Sequence, residues 1–225
     1  MTSKSIPVIT IDGPGGAGKG TIAQQVASEL GFHILDSGSL YRLTALASEK
    51  DHIELTAESA LAERALNLEV VFQLMDAGLQ ILLRGEDVSE AVRSEEMGMR
   101  ASKIAAMPMV REALLQRQRD FLLAPGLLAD GRDMGTTVFP GAPLKIFMTA
   151  SVEQRAERRY KQLKDKGINA SIPALVADLT ARDKQDTNRA VSPLKPAEEA
   201  ILLDTTHLSI SQVTQQVLEL AKQRL

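Results

Sequence analysis

Residues Val8 to Thr21 read VITIDGPGGAGKGT, and their order sets the architecture that we expect for the rest of the chain. A β-branched run predicts a buried strand, a glycine-rich loop follows, and a helical pattern begins at Gly18. Glycines let successive backbone N–H groups converge on one point, and the N-terminus of the next helix adds unpaired donors and partial positive charge. The stretch therefore predicts a polyphosphate site, with Lys19 as a mobile charge for the outer phosphates.

The same residues allow a second interpretation. The spacing Gly13-x4-Gly18-Lys19 fits the phosphate-loop pattern, although the expected hydroxyl residue comes one position late, at Thr21. The glycines also fit G-x-G-x-x-G, and Asp36 follows near the distance at which dinucleotide-binding folds place their ribose-binding acid. We favour the phosphate loop because a γ-phosphate site needs a lysine directly after the last glycine and a pyrophosphate bridge does not.

The composition predicts one globular domain over residues 1–225. That length suffices for a single sizeable core, and no apolar run approaches the roughly 18 residues that a membrane helix needs. The chain has no cysteine, and its first strand begins too early to leave room for a signal peptide, so we expect a cytoplasmic protein. A net charge of −3 and few aromatic residues argue against a nucleic-acid partner.

Strands and helices alternate along most of the chain, which predicts an α/β fold with a parallel sheet wrapped by helices. One region departs from this alternation. Two strands, 68–74 and 79–84, are joined by Asp76-Ala77-Gly78, which is a hairpin signal. Consecutive hairpin strands do not belong in a doubly wound parallel sheet, so we expect residues 53–100 to be an insert with its own small antiparallel sheet.

Other charged residues follow the predicted strands or lie on predicted helices. An apolar strand ends at Asp130, in the layout of the acid that helps to hold Mg²⁺ or its water in phosphate-loop enzymes. Three arginines at positions 155–159 have the composition of a lid that closes on ATP, although an ordinary charged helix face has it too. Arg182, Asp186 and Arg189 share one face if the helix continues, where the alternative is a simple salt-bridge ladder.

Together these residues favour phosphoryl transfer. That reaction needs positive groups around the moving phosphoryl group, a metal and in-line placement of donor and acceptor, and it needs no covalent nucleophile from the protein. Arginines at positions 42, 132, 182 and 189 can supply the charge. The chain lacks an Asn-Lys-x-Asp guanine motif, which argues against a switch GTPase.

Four motifs in the same order make the chain similar to the bacterial cytidylate kinases, which are nucleoside monophosphate kinases. They are GPGGAGKGT (13–21), DSGSLYR (36–42), ADGRDMGT (129–136) and RDKQDTNR (182–189). The similarity runs over essentially the whole chain and includes the insert, which resembles an enlarged acceptor-binding region. It implies a monomer with ATP and CMP or dCMP as substrates, Mg²⁺ as cofactor and residues 151–170 as a helical lid.

The resemblance also implies a role for each matching residue. The implied ATP-binding residues are Gly13, Pro14, Gly15, Gly16, Ala17, Gly18, Lys19, Gly20, Thr21, Arg155, Arg158 and Arg159. The implied CMP-binding residues are Ser37, Arg42, Ser102, Arg111, Arg132, Asp133, Arg182, Asp186 and Arg189. Lys19, Arg132 and Arg189 are the expected catalytic residues, and Thr21 and Asp130 are expected to hold the metal through water.

Three of these positions match those that read cytosine in the family, namely Ser102, Arg111 and Asp133. An acid and a hydroxyl accept from the exocyclic amine, while an arginine donates to the ring carbonyl and nitrogen. Uracil presents the opposite pattern at the amine's position, so it leaves groups unsatisfied. Two alternatives remain, which are a phosphate-loop kinase for another small acceptor and a dinucleotide-binding oxidoreductase.

Overall fold

The structure is a computed structural model, and it describes residues 6–75, 78–165 and 167–225. Its strands are β1 (Val8–Asp12), β2 (His33–Asp36), β3 (Val70–Met75), β4 (Gly78–Leu83), β5 (Glu86–Asp87), β6 (Leu127–Gly131), β7 (Leu144–Thr149) and β8 (Ile201–Asp204). Its α-helices are α1 (Lys19–Leu30), α2 (Ser37–Lys50), α3 (Glu58–Leu66), α4 (Ser89–Val92), α5 (Glu95–Ile104), α6 (Pro108–Arg119), α7 (Val152–Asp165), α8 (Ile172–Thr187) and α9 (Ile210–Arg224). A π-helical turn covers Met134–Val138.

Five strands form one sheet in the order β2-β6-β1-β7-β8, and β3-β4-β5 form a second sheet of three strands. In the larger sheet β2 pairs with β6, β1 with β7 and β7 with β8, each in parallel register. Between them lie the crossover helices that parallel strands require. This confirms the predicted parallel sheet wrapped by helices, with a small antiparallel insert.

Packing divides the chain into two compact units. Residues 7–26 and 131–225 form the first, which we call the phosphate-loop unit. Residues 27–130, together with Ile6, form the second, which we call the insert unit. The extent of a single domain over 1–225, with insert and lid regions, stays a prediction.

The core of the phosphate-loop unit is built on β1, whose five residues are all buried. Ile22 and Val26 of α1 are also buried, because the apolar residues of that helix recur on one face. At the other end of the chain, the predicted capping box of α9 is present between Ser209 and Gln212. Such a cap stabilises a helix by about 1 kcal/mol, and α9 then buries Val213 and other apolar residues of one face.

The insert unit contains the small antiparallel sheet together with helices α2 to α6. In the hairpin Val70 pairs with Leu83 and Met75 pairs with Gly78, as the alternating pattern predicts. The turn residues Asp76 and Ala77 of the predicted hairpin lie outside the described residues. The third strand, β5, and the short helix α4 were not predicted, because two and four residues are too few to show a period.

Two further differences from the sequence prediction bear on the site. The chain after β6 forms a π-helical turn at Met134–Val138, where we expected only a loop. Helix α8 ends at Thr187, so Arg189 lies beyond it and not on the continued helix face. Within the described part of the chain, no helix is both long enough and apolar enough to cross a membrane.

Candidate active site

The glycine-rich loop adopts backbone conformations that other residues avoid. Gly13, Gly16 and Gly18 have φ values of 148°, 78° and 92°, in the region where glycine has no steric penalty. A Cβ at position 13 would lie 2.0 Å from the carbonyl oxygen of Met148 on β7. Only glycine therefore fits at the point where β1 turns into the loop.

Lys19 is the first residue of α1 and is only 6% exposed. Its Nζ donates to the carbonyl oxygen of Pro14 at 3.0 Å. The side chain therefore folds back over the loop, and its ammonium group lies near the backbone that precedes the helix. Lys19 therefore lies against the loop that the sequence predicts to bind phosphates.

Asp12, the last residue of β1, was not predicted as a site residue. Its carboxylate accepts hydrogen bonds from the backbone N–H groups of Met134 and Gly135, both at 2.8 Å. Burial raises the pKa of Asp12 to about 6, and the charge of Asp133 raises it too, whereas the two backbone hydrogen bonds and Lys19 lower it. The acid thereby joins the strand before the phosphate loop to the segment that carries Arg132 and Asp133.

Two of the expected catalytic arginines share one buried carboxylate. Asp186 is 1% exposed, and its Oδ2 accepts from Arg132 Nε at 3.0 Å. Its Oδ1 accepts from Nη2 of Arg189. A Cβ on Gly15 would lie 3.5 Å from Nη2 of Arg132, so this group also lies against the phosphate loop. The net positive charge of this cluster suits the stabilisation of moving phosphoryl oxygens.

The three arginines of α7 have different surroundings. Arg155 is 4% exposed and donates to protein oxygens, among them the carbonyl of Gly15 and the carboxylate of Asp183. Arg158 donates to the carbonyl of Ala17 at 3.2 Å and to Thr205. Arg159 donates to Gln162 on its own helix at 3.2 Å. The sequence predicted these arginines as one group and contained no signal that separates them.

The remaining candidates of this unit differ in exposure. Asp133 is buried, at 5% exposure, and directly follows Arg132. Thr21 is exposed in the first turn of α1. Its hydroxyl is an oxygen donor of the kind that Mg²⁺ prefers, and so is the carboxylate of Asp130, the last residue but one of β6 in the other unit. The donor chemistry of both residues thus fits the metal.

The insert unit holds the other predicted acceptor-site residues. Ser37, at the start of α2, donates to Oε1 of the buried Gln118 at 2.9 Å. Arg42 donates to the carbonyl oxygens of Val92 and Ser94, at 2.8 and 3.0 Å. Gln118 was not predicted, because a glutamine in an amphipathic helix gives no signal of its own.

Arg111 and Ser102 also belong to the insert unit, on neighbouring helices of the sequence. The guanidinium carbon of Arg111 lies 5.7 Å from the ring centroid of Tyr41, within the range of a cation–π contact. Its Nη1 donates to the carbonyl of Ala105 at 3.2 Å. These two contacts limit the orientations that the guanidinium can adopt.

Taken unit by unit, the structure brings together the glycine loop with Lys19, the arginines around Asp186, Asp133 and the arginines of α7. Ser37, Arg42, Ser102, Arg111 and Asp130 lie in the insert unit. A parallel sheet, a glycine loop closed by a lysine, and arginines held beside that loop are the parts of a phosphate-loop phosphotransferase.

Comparison with known proteins narrows this class. The family model for cytidylate kinase matches residues 9–223. The cytidylate kinase of Aeromonas hydrophila subsp. hydrophila is 57% identical over 97% of this chain and 95% of the relative. That of Pseudomonas entomophila is 57% identical over 96% and 95%, and that of Klebsiella pneumoniae 52% over 98% and 97%. The chain belongs to the cytidylate kinase family and is a nucleoside monophosphate kinase.

Proposed function

We propose that the protein phosphorylates CMP and dCMP with ATP and Mg²⁺, giving CDP or dCDP and ADP. The observation that carries this proposal is the pairing of a phosphate loop and its lysine with two arginines on the buried Asp186. The relatives are named for cytidylate, which indicates the acceptor. We also propose that the enzyme is a cytoplasmic monomer. Size-exclusion chromatography with light scattering tests the number of chains in the assembly.

In the proposed reaction an oxygen of the acceptor phosphate attacks the γ-phosphorus of ATP. The bond between that phosphorus and the β,γ-bridging oxygen breaks, and ADP leaves with the electron pair. The loop N–H groups and Lys19 hold the donor phosphates, and Lys19 follows the moving group. Arg132 and Arg189, with Arg42, hold the acceptor phosphate in line.

Thr21 and Asp130 would hold Mg²⁺ through water. When bound, the metal neutralises charge on the donor phosphates. Arg158 and Arg159 are proposed to contact ATP from α7, and Arg155 is proposed to act on the same site. Arg158 is held near the loop by the carbonyl of Ala17, which supports its part in this proposal.

We assign base selection to Ser102, Arg111 and Asp133. The hydroxyl and the acid accept from the amine of cytosine, while the arginine donates to the ring. The contact of Arg111 with Tyr41 supports this role because it limits the positions of the guanidinium. Ser37, Arg182 and Asp186 are proposed to lie around the acceptor's phosphate and ribose.

A coupled assay of ADP release with Mg-ATP tests the function. The acceptors are CMP, dCMP, UMP, AMP and GMP, with a sample that contains no acceptor. Turnover dominated by CMP and dCMP is the expected result. Turnover with another acceptor alone would overturn the cytosine site and leave the phosphate loop in place. No turnover with any acceptor would overturn the proposed reaction, and NADH binding by fluorescence would then test the dinucleotide alternative.

A further inference from the structure

Arg155 has a surrounding unlike that of an arginine that contacts a ligand. Its side chain is 5% exposed. Nε donates to the carbonyl of Ala150 at 3.0 Å, and Nη1 donates to the carbonyl of Gly15 at 3.0 Å. Nη1 and Nη2 also bind the carboxylate of Asp183, at 3.1 and 2.6 Å. A guanidinium has five N–H groups, so these four contacts use nearly all of its donors.

The pair of Arg155 and Asp183 has the geometry of a strong ion pair. Nη1 donates to Oδ1 and Nη2 donates to Oδ2, and this two-point contact gives direction as well as attraction. A lysine cannot reproduce such a two-point contact. The carboxylate and the two carbonyl oxygens together fix the orientation of the buried guanidinium.

The contacts join two parts of the proposed active site. Gly15 lies in the phosphate loop, and Asp183 lies on α8, three residues before Asp186. A Cβ on Gly15 would lie 3.5 Å from Nη2 of Arg132 and 3.8 Å from Cδ of Arg182. The loop, α8 and Arg132 therefore meet at Gly15, where Arg155 binds the carbonyl oxygen.

We infer that Arg155 and Asp183 form a positioning pair that fixes α8 against the phosphate loop. The pair thereby sets the distance between the donor phosphates and the acceptor-binding groups on α8, Arg182 and Asp186. In this role Arg155 acts on the ATP site through the Gly15 carbonyl and not by touching the nucleotide. The inference rests on the proposed function, since that function makes α8 the acceptor side.

The test is Asp183→Asn, which keeps the shape of the side chain and leaves the contact of Arg155 with Gly15. It removes the charge and turns one amide N–H₂ group towards the guanidinium. We expect KM for CMP to rise about tenfold and kcat to fall about tenfold, because small shifts of positioning groups have effects of this size. KM for ATP is expected to change less than about twofold, since the phosphate loop keeps its own contacts.

The matched control is Asp178→Asn, on the exposed side of the same helix. It makes the same chemical change about one and a half helical turns earlier. We expect its KM and kcat to equal those of the wild type. Asp183→Glu retains the carboxylate and is expected to recover most of the lost activity. If Asp183→Asn does not fold, Arg155→Lys replaces it, and the expected result there is a rise in KM for both substrates.

Two outcomes would overturn the inference. In the first, Asp183→Asn lowers the melting temperature but has the kinetic constants of Asp178→Asn, which would make the pair structural only. In the second, KM rises for ATP alone, which would indicate direct ATP contact. The readout uses whichever acceptor the wild-type enzyme phosphorylates. If CMP is not an acceptor, the proposed function is overturned. The inference about Arg155 and Asp183 is then decided by the KM of Asp183→Asn and Asp178→Asn for the acceptor that the wild type does phosphorylate.

Discussion

The phosphate loop and the side-chain network at α8 lie in the same unit, and they place positive charge in different ways. The loop uses backbone groups and one lysine within nine consecutive residues, Gly13 to Thr21. By the side-chain network we mean two groups at α8: Arg155 binds Asp183, and Arg132 and Arg189 bind Asp186. Arg132 and Arg155 come to α8 from earlier parts of the chain. A backbone site depends on local conformation, whereas a side-chain network depends on packing. The four predictions below test this difference.

Gly13→Ala is expected to have the largest effect, because a Cβ at that position would lie 2.0 Å from the carbonyl oxygen of Met148. We expect the free energy of unfolding to fall by about 4 kcal/mol or more, as for other changes that force a backbone shift in a core. Urea unfolding followed by circular dichroism measures it. Gly141→Ala, where no atom lies near the added methyl group, is the matched control. A similar, small loss in both variants would contradict the steric argument.

Lys19→Ala is expected to lower kcat about 10³-fold, since it removes a charge that acts on the moving phosphoryl group. The fold should be retained, because the change removes no apolar side chain from the core and shortens the residue to a good helix former in the first turn of α1. Initial rates and the melting temperature together check this. Lys161→Ala, an exposed change on α7, serves as the control. Phosphoryl transfer at the wild-type rate by Lys19→Ala would remove the lysine from the mechanism.

Asp12 makes the stability of the folded protein dependent on pH, outside both the loop and the side-chain network. Its pKa in the folded protein is about 6, above the ordinary value of 3.8, so the folded state binds the proton more tightly than the unfolded state. The stability that protonation contributes is complete below pH 3.8 and is lost as the pH rises through about 6. The shift corresponds to up to about 3 kcal/mol.

We therefore expect the wild type to gain stability relative to Asp12→Asn as the pH falls from 7 to 4. Urea unfolding of both proteins across that range measures the difference. Asp133 and Lys19 are the charged groups that act on Asp12. The variant Asp133→Asn in the same series measures how much the charge of Asp133 raises the pKa of Asp12. A difference that does not vary with pH would show that Asp12 does not titrate in this range.

Thr205→Val is expected to have the smallest effect. The hydroxyl accepts from Nη1 of Arg158 at 3.2 Å and donates to the carbonyl of Thr149 at 3.0 Å. Losing a buried hydroxyl with these contacts removes about 1 kcal/mol of stability. Because Arg158 keeps its contacts with backbone oxygens, KM for ATP should rise less than about threefold. A loss as large as that of Lys19→Ala would mean that Thr205 contacts the nucleotide.

The sequence allowed the parallel sheet, the phosphate loop and the antiparallel insert to be predicted, because each depends on a local period or on consecutive residues. The contacts of Asp12 could not be predicted, since its partners lie more than 120 residues away along the chain. The contact between Arg155 and Asp183 could not be predicted either, because the two residues lie on different helices. The predicted site roles are still to be tested by the kinetic experiments.

The helix end at Thr187 shows a further limit of periodicity. The spacing of Arg182, Asp186 and Arg189 predicted one helix face if the helix continued to Arg189, and Asp186 and Arg189 do meet. They meet at i,i+3 spacing although α8 ends at Thr187, before Arg189. Pattern alone could identify the partners but not the backbone path between them.

The contact between Arg155 and the carbonyl of Gly15 also determines where the next amide points. In a trans peptide the C=O and N–H groups lie on opposite sides, so the N–H of Gly16 is directed away from the guanidinium. Peptide planes between glycines rotate easily, and a free plane could present either its oxygen or its hydrogen to an anion. A buried cation that holds the oxygen on one side therefore keeps the hydrogen on the other, and this orients the dipole before any nucleotide arrives.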